Sequence, residues 1–377
     1  MKRIVRANAE PIDAYLRELW ELQGSDLLLT AGAPPLLRVD GNLRPVSGSA
    51  PLRPDEIDLM LTGMLTDELA AEFETSKELD FSFGWQGLAR LRANAFLQRQ
   101  SSALAVRLIP DRIPSFDELG LPPVIERLVN LPHGLILVTG PTGVGKSTTL
   151  ASMIDYINRH RACHILTLED PIEYMHKHKL AAVNQREIRQ DTLSFERGLR
   201  ASLREDPDVL LVGEMRDLDS IRITLTMAET GHLVLATLHT NDASQALDRV
   251  VDVFPAEHQQ QVRVQLAGAL QAVVFQQLLP KIGGGRVAAF EVLMATNAVR
   301  NLIREAKVQQ LRNVMSTGRG EGMQTLETSL SDLVDKGLVD LEVAQSKSLH
   351  PADVKSRRVP APSLGLVDGA GRGRRGR

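Results

Sequence analysis

Cysteine is almost absent from this sequence. Its 377 residues include one cysteine, Cys163, so a disulfide framework and a zinc module built on paired cysteines are both excluded. A single thiol is typical of proteins in a reducing compartment. Aromatic residues make up only 4% of the chain, against 43% hydrophobic residues in total. We therefore expect cores built from aliphatic side chains.

Long apolar runs and an excess of positive charge are also missing. The longest apolar run, GLILVTG, has the length of a strand, whereas a spanning helix needs about 20 residues. The N-terminus MKRIVRANAEP lacks the apolar segment of a signal peptide. We expect a cytoplasmic protein with no membrane span, which could still contact a membrane assembly from inside. The net charge of −3 argues against nucleic acid as a main partner.

The first part of the chain mixes helical and strand-like patterns. Residues 12–23 and 54–75 have the apolar spacing of helices, whereas 25–46 and 78–110 alternate like strands. The segment VDGNL predicts a hairpin turn. Together these patterns predict a small α+β domain over residues 1–110. The proline-rich segment 111–120 predicts a linker.

Strands and helices alternate from residue 121 to residue 350. The predicted strands are LILVTG, HILTLED, VLLVGE and LVLATLH, with helices from residue 146, near 194–204 and at 217–229. This alternation is typical of an α/β fold with a mostly parallel sheet. The region from about 255 to 345 is predicted to be helical. The Pro-, Gly- and Arg-rich tail, 351–377, is predicted to be disordered.

The segment GPTGVGKST, 140–148, has the pattern of a phosphate-binding loop. It follows an apolar strand and opens a helix, which is the context that the motif requires. Its glycines let backbone N–H groups point at phosphate oxygens, Lys146 adds a charge for the β- and γ-phosphates, and Ser147 offers a hydroxyl to Mg²⁺. The predicted cofactors are therefore ATP and Mg²⁺. The predicted nucleotide-binding residues of the loop are Gly140, Pro141, Thr142, Gly143, Val144, Gly145, Lys146, Ser147 and Thr148.

Two predicted strands end in acids at the edge where α/β sheets bind ligands. VLLVGEMRD carries Glu214, and HILTLEDPIEY carries Glu169 and Asp170. Gly213 stands where nucleotide-hydrolysing folds usually have an aspartate. One glutamate can hold hydrated Mg²⁺ while the other orients or deprotonates water, and the pattern leaves open which does which. Ser147 and Glu214 are the predicted magnesium contacts, largely through water.

Two histidines lie on the predicted strand TGHLVLATLHTNDA. They are seven residues apart, about 23 Å along a strand, which is too far to share a metal. His239 lies at the ligand edge, where it can sense the γ-phosphate or bind the carboxylate that holds water. For His232 a structural role is equally open.

Phosphoryl transfer also needs cations beyond Lys146. Arg204 and Arg216 lie near the acids in the sequence, and Arg90, Arg92 and Arg107 lie in the first domain. Because residues two apart on a strand share a face, Arg90 and Arg92 could contact phosphate together. Hydrolysis would then act as a switch for domain motion.

These motifs resemble the ATPases of the secretion superfamily, and most closely the PilT-type ATPases of type IV pilus retraction, or twitching motility. The resemblance is carried by GPTGVGKSTTLA, HILTLEDPIEY, LREDPDVLLVGEMRD, AETGHLVLATLHT and NAVRNLIREAK, and it covers about residues 24–345. It implies a PAS-like N-terminal domain, a RecA-like ATPase domain and a homohexameric ring. It also implies ATP-driven pilus disassembly at the inner membrane, with the platform protein and possibly a second retraction ATPase as partners.

The resemblance also implies roles for individual residues. Glu214 matches the Walker B acid and Glu169 the Asp-box acid, while His232 and His239 match the His box. The arginines at 90, 92 and 107 match the arginines of the family's N-terminal domain. The family often has a further arginine where this chain has Gln100, next to Arg99. If both lay on a strand, they would face opposite sides.

NAVRNLIREAK matches a signature that the family needs for retraction but not for hydrolysis. Its apolar stripe consists of Val299, Leu302, Ile303 and Ala306. The basic residues Arg300, Arg304 and Lys307 lie off this stripe and predict a solvated basic face.

Three other functions stay open. Pilus-extension and type II secretion ATPases resemble this chain in the core, but they commonly carry a tetracysteine zinc module and a longer N-terminal region. An accessory retraction ATPase has no distinguishing pattern. A non-hydrolysing, nucleotide-gated binding module is disfavoured, because both glutamates and the phosphate-binding lysine and serine are intact.

Overall fold

The computed structural model describes residues 10–39, 41–109, 112–215 and 217–356. The chain divides into two compact units. The N-terminal unit comprises residues 1–113 with 172–175, and the C-terminal unit comprises 114–171 with 176–377. Each unit has its own sheet and its own buried apolar core.

The N-terminal unit is an antiparallel sheet packed against helices. Its elements are α1 Glu10–Glu21, β1 Asp26–Thr30, β2 Leu36–Val39, β3 Asn42–Pro45, α2 Pro54–Met64, α3 Asp67–Ser76, β4 Glu78–Trp85, β5 Ala89–Gln98 and β6 Ser101–Ile109. The strand order is β3-β2-β1-β6-β5-β4, and each neighbouring pair is antiparallel. Alternate residues of β5, such as Leu91 and Ala93, are fully buried, as expected for a sheet with one face in the core.

The helical prediction for 54–75 is confirmed, and the placement of Arg99 and Gln100 within a strand is wrong. The helical pattern at 54–75 forms two helices, because the chain extends at Leu65 and Thr66 before the Thr66 hydroxyl caps α3 by accepting the Leu69 N–H at 3.3 Å. Arg99 and Gln100 do not lie on a strand. They form the turn between β5 and β6, with φ angles of 48° and 64°, as in two-residue hairpin loops.

The C-terminal unit is a seven-stranded sheet in its described residues, with helices on both faces. Its strands are β7 Gly134–Thr139, β8 His164–Glu169, β9 Ala182–Glu187, β10 Val209–Val212, β11 Leu233–Leu238, β12 Leu270–Pro280 and β13 Arg286–Met294. The order is β13-β12-β7-β11-β10-β8-β9, and every neighbouring pair is parallel except β12 with β13. Strands β7, β10 and β11 are buried along their whole length, which accounts for their continuous apolar sequences.

Helices precede, connect and follow these strands. They are α4 Phe116–Leu119, α5 Val124–Val129, α6 Lys146–His160, α7 Phe195–Ser202, α8 Leu218–Glu229, α9 Ala243–Asp252, α10 Ala256–Ala269, α11 Asn297–Arg304, α12 Leu311–Thr317, α13 Leu326–Asp335 and α14 Leu341–Ser346. No helix in the described ranges is long and apolar enough to cross a membrane.

The prediction that residues 255–345 are helical is wrong for residues 270–294. Strands β12 and β13 form a hairpin there, turned by Gly283, Gly284 and Gly285 in the left-handed region. The apolar runs of these strands are largely buried, and a short apolar run does not distinguish a strand from a buried helix. Strand β9, at the edge of the sheet, was also not predicted.

Packed structure continues into the segment predicted as a disordered tail. Residues Pro351–Asp353 form a 3₁₀ turn, and Val354 is buried in a cluster with Leu326 and Leu330. The prediction is therefore wrong for the first residues of 351–377. The remainder of that segment, 357–377, lies outside the described residues.

Candidate nucleotide-binding site

The phosphate-binding loop connects β7 to α6. Helix α6 begins at Lys146, directly after Gly145, whose φ of 90° is in the left-handed region. At Gly140, φ is 144° and a Cβ atom would lie 2.4 Å from the carbonyl oxygen of Gln276. Glycine is therefore required at position 140, both by the backbone angle and by the strand behind the loop.

Lys146 is buried and its amine folds back over the loop. Its Nζ donates to the carbonyl oxygens of Gly140 at 2.7 Å and Pro141 at 3.0 Å. The same nitrogen lies 3.4 Å from Nδ1 of His239. The lysine charge is thus held at the carboxyl end of β7, where the loop begins.

His239 lies between the loop and Glu214. Its Nε2 is 3.5 Å from Oε1 of Glu214, and its Nδ1 is 3.4 Å from Oγ1 of Thr142. Because a lysine amine can only donate, Nδ1 facing Lys146 is the acceptor and the ring proton belongs on Nε2, toward Glu214. The strand ends of β7, β10 and β11 thereby bring Lys146, His239 and Glu214 into one group.

Glu169 lies at the same edge of the sheet, at the end of β8. Its Oε1 accepts from Oγ1 of Thr167 at 2.6 Å and from Nε2 of Gln185 at 3.1 Å. Two donors therefore hold one oxygen of this carboxylate in position. The amide oxygen of Gln185 in turn accepts the His176 N–H at 2.7 Å.

Gly213 is explained by the neighbouring strand. Its N–H donates to the Leu168 carbonyl at 2.8 Å. A Cβ atom at position 213 would lie 3.0 Å from that carbonyl oxygen and 3.3 Å from Cα of Glu169. An aspartate here would press on the strand that carries Glu169, so this site has one acid from each strand.

A cleft of about 650 Å³ opens beside this group. Its lining includes Glu214, His239, Thr240, Asp248 and Asp252. Burial, and then the charge of Asp252, raise the pKa of Asp248. The volume lies within the range of small-molecule sites.

The residues here suit Mg²⁺ that arrives with a nucleotide. Ser147, in the first turn of α6, and Glu214 supply oxygen, which is the ligand type that Mg²⁺ prefers. Within the described ranges, no group of three His, Cys, Asp or Glu residues could form a metal cage. A hydrated ion bound mainly by phosphates needs no such cage.

Two predicted catalytic residues do not join the group. His232 precedes β11 and Arg204 precedes β10, so both lie at the edge where these parallel strands begin. Nδ1 of His232 is bonded at 2.9 Å to the Met227 carbonyl, as a structural donor, and Arg204 is exposed. Nearness in sequence was misleading because a whole strand separates each residue from the ligand edge. Arg216 lies outside the described residues.

The three predicted arginines of the N-terminal unit share one face of its sheet. Arg92 on β5 is paired in register with Arg107 on β6, and Arg90 is two residues away. Arg107 forms a 2.7 Å salt bridge with Asp26, and Arg90 donates to the Ser82 hydroxyl at 2.9 Å.

Sequence reasoning assigned no role to four polar residues that support the site. They are Thr167, Gln185, Thr240 and Gln276. Thr240 bonds to Thr139 at 2.6 Å and joins the ends of β7 and β11. Gln276 could have been noticed in the sequence, because it is a polar residue inside the apolar run VVFQQLL.

The family model for "Type II/IV secretion system protein" matches residues 89–284. The type IV pilus retraction ATPase PilT of Pseudomonas aeruginosa is 51% identical over 327 residues, which are 87% of this chain and 95% of that protein. A twitching motility protein of Neisseria gonorrhoeae is 47% identical over 315 residues, 83% of this chain and 84% of that protein.

A crystal structure of the pilus retraction motor PilT with bound ADP superposes with a TM-score of 0.85. It is 49% identical to this chain, and the match covers 91% of this chain and 98% of that one. This likeness confirms the predicted fold class, an α/β ATPase core with a smaller N-terminal domain. With the matched family model and both relatives, it shows that the chain belongs to the type II/IV secretion family, among its type IV pilus retraction ATPases.

Proposed function

We propose that this protein is a homohexameric motor that hydrolyses ATP to retract a type IV pilus. It would work on the cytoplasmic side of the inner membrane, against the platform protein of the pilus machine. One observation carries the chemical part of the proposal. His239 lies 3.4 Å from the Lys146 amine and 3.5 Å from the Glu214 carboxylate, and so links the two.

Lys146 is proposed to bind the β- and γ-phosphates. Its amine already lies at the mouth of the loop, bound to the carbonyls of Gly140 and Pro141. Phosphate oxygens are stronger acceptors than these carbonyls because they are charged. An exchange of acceptors therefore requires only a short movement of a flexible side chain.

Ser147 and Glu214 would hold Mg²⁺, largely through water. The ion would supply charge neutralisation to the phosphates. His239 donates toward Glu214 and accepts from Lys146. A movement of Lys146 on phosphate binding would therefore also change the contact between His239 and Glu214.

Glu169 is proposed to orient or deprotonate the attacking water. The hydrogen bonds from Thr167 and Gln185 hold its carboxylate in place without a contact to Mg²⁺. A general base needs such a fixed orientation. Phosphate contacts by Arg90, Arg92 and Arg107 stay a prediction for the N-terminal unit.

The experiment is Mg²⁺-dependent phosphate release by the purified protein. Lys146→Ala and Glu214→Ala should each lower the rate at least 100-fold with the circular dichroism spectrum unchanged. Glu169→Gln should lower the rate as strongly yet leave the Kd for ATP within about threefold, because it removes a base and not a phosphate contact. Wild-type protein without turnover would favour a non-hydrolysing binding module instead.

Pilus retraction measured in cells lacking only this protein tests the mechanical part. We expect pili to assemble and fail to retract. Loss of assembly would indicate an extension or secretion ATPase, and normal retraction would indicate an accessory role.

A further inference from the structure

Gln276 is a buried polar residue behind the phosphate-binding loop. Strand β12 runs parallel to β7, and Phe275 is in register with Thr139, the last residue of β7. The next residue of β12 therefore reaches past the end of β7, where the loop begins. Gln276 is only 3% exposed.

Both ends of the Gln276 amide are used. Nε2 donates to the carbonyl oxygen of Val144 at 2.7 Å, and Oε1 accepts from Oγ1 of Thr149 at 2.7 Å. The orientation of the amide follows from chemistry, because the Val144 carbonyl can only accept. One side chain thus joins the middle of the loop to the first turn of α6.

The same residue shapes the loop by contact. Its backbone carbonyl occupies the space that a Cβ atom at Gly140 would need, and its Nε2 lies 3.0 Å from where a Cβ atom at Gly145 would be. The start and the end of the loop are therefore both packed on Gln276. A buried amide is costly unless paired, so the loop and this side chain hold each other in one arrangement.

We propose that Gln276 is a positioning residue for nucleotide binding, which holds loop 140–145 in its phosphate-binding shape from the side away from the phosphates. It touches no reacting atom and acts through Val144 and Thr149. The inference rests on the proposed role of this loop in binding ATP. Without Gln276, a nucleotide must order the loop as it binds, and that cost weakens binding.

The test is ADP binding by calorimetry and ATP turnover with the full-length protein. Gln276→Leu should raise the Kd for ADP and the KM for ATP at least tenfold. The kcat at saturating ATP should stay within about threefold of the wild-type value. The free-energy cost of ordering the loop is the same in the ground state and in the transition state. A defect confined to kcat, or a Kd within twofold of wild type, would overturn the proposal.

Gln271 offers a matched control on the same strand. Its amide also donates to a backbone carbonyl, that of His133 at 3.2 Å, but at the opposite end of β7. Gln271→Leu should leave the Kd for ADP unchanged. An equal loss in both variants would indicate a general weakening of the sheet and would contradict a specific role.

A second variant keeps the test decisive if Gln276→Leu does not fold. Gln276→Glu has the same shape, but its carboxylate would face the Val144 carbonyl until it takes up a proton. Relative to wild type at each pH, ADP affinity of this variant should therefore recover as the pH falls from 8 to 6. Affinity that follows wild type over the whole range would overturn the inference. Failure of wild type to bind ADP would instead refute the proposed function.

Discussion

Gly213 shows how one residue can decide the distribution of acids in the site. The strand end of β10 lies against the backbone of β8, so a side chain at position 213 would meet the Leu168 carbonyl. The second carboxylate comes from Glu169 on β8, and the usual aspartate is absent for a steric reason. Because glycine has no side chain, it allows this close approach, and the hydrogen bond from the Gly213 N–H to the Leu168 carbonyl holds the two strand ends together.

We predict that Gly213→Ala lowers phosphate release about tenfold and destabilises the fold by about 1–2 kcal/mol, as overpacking against backbone does. Phosphate release and chemical denaturation would measure the two effects. Gly63→Ala is the control, because a Cβ atom at Gly63 in α2 meets nothing within 4 Å. That change should stabilise by up to about 1 kcal/mol. Equal, small effects of both substitutions would contradict the steric explanation.

At the scale of elements, helix α11 has two arginines with different roles. Nε and Nη1 of Arg300 donate to the carbonyls of Ala295, Ala267 and Gly268, the last at 2.7 Å, so Arg300 caps the end of α10. Burial lowers the pKa of this guanidinium. Arg304 is exposed and contacts Asn301 of its own helix. The expected solvated basic face is therefore wrong for Arg300.

Substitutions of Arg300 and Arg304 should therefore have different effects. Arg300→Ala should destabilise the protein by about 1–3 kcal/mol, because it removes charge-assisted bonds to a helix C-terminus. Arg304→Glu should leave the denaturation midpoint and ATP turnover near wild type while pilus retraction stops, as the family resemblance implies. Normal retraction in the Arg304 variant would contradict the role in retraction that the family resemblance implies for NAVRNLIREAK.

Strand β13 connects two helices through a buried acid. Glu291 accepts the Ala243 N–H at the start of α9, at 2.9 Å, and the Leu326 N–H at the start of α13. Burial raises its pKa from 4.5 to about 7, and the nearby charges of Asp242 and Glu327 add to this. Arg312 lies 2.9 Å from Glu327 and offsets part of that charge.

The raised pKa predicts how stability depends on pH. Between pH 4.5 and about 7 the folded protein binds the Glu291 proton more strongly than the unfolded chain, so this stabilising contribution is lost as the pH rises. Wild type should therefore lose about 1–3 kcal/mol relative to Glu291→Gln from pH 5 to pH 8. Denaturant melts at each pH measure this. Glu74→Gln, at an exposed site on α3, is the control, and a pH-independent difference would contradict the prediction.

At the scale of the whole molecule, the proposed ring predicts a mass. Light scattering of the purified protein at micromolar concentration should give six times the mass of one chain. The Lys146→Ala variant, measured in parallel, shows whether assembly depends on nucleotide. A single-chain mass at saturating ATP would contradict the hexamer.

The sequence by itself determined the family and the two-part organisation, and it predicted the chemistry of the phosphate loop. These depend on local patterns: glycines at fixed spacing, a lysine and serine at a helix start, and buried strands that end in acids. It also placed Glu214, Glu169 and His239 at one edge, because parallel strands end on the same side of a sheet.

Only the tertiary structure decided which residues meet. It placed His232 and Arg204 at the opposite edge, folded an expected helical region into the β12–β13 hairpin, and gave Arg300 a capping role. It also brought Gln276 under a loop more than 130 residues earlier. Such contacts depend on strand order and on the packing between distant segments, which no local pattern encodes.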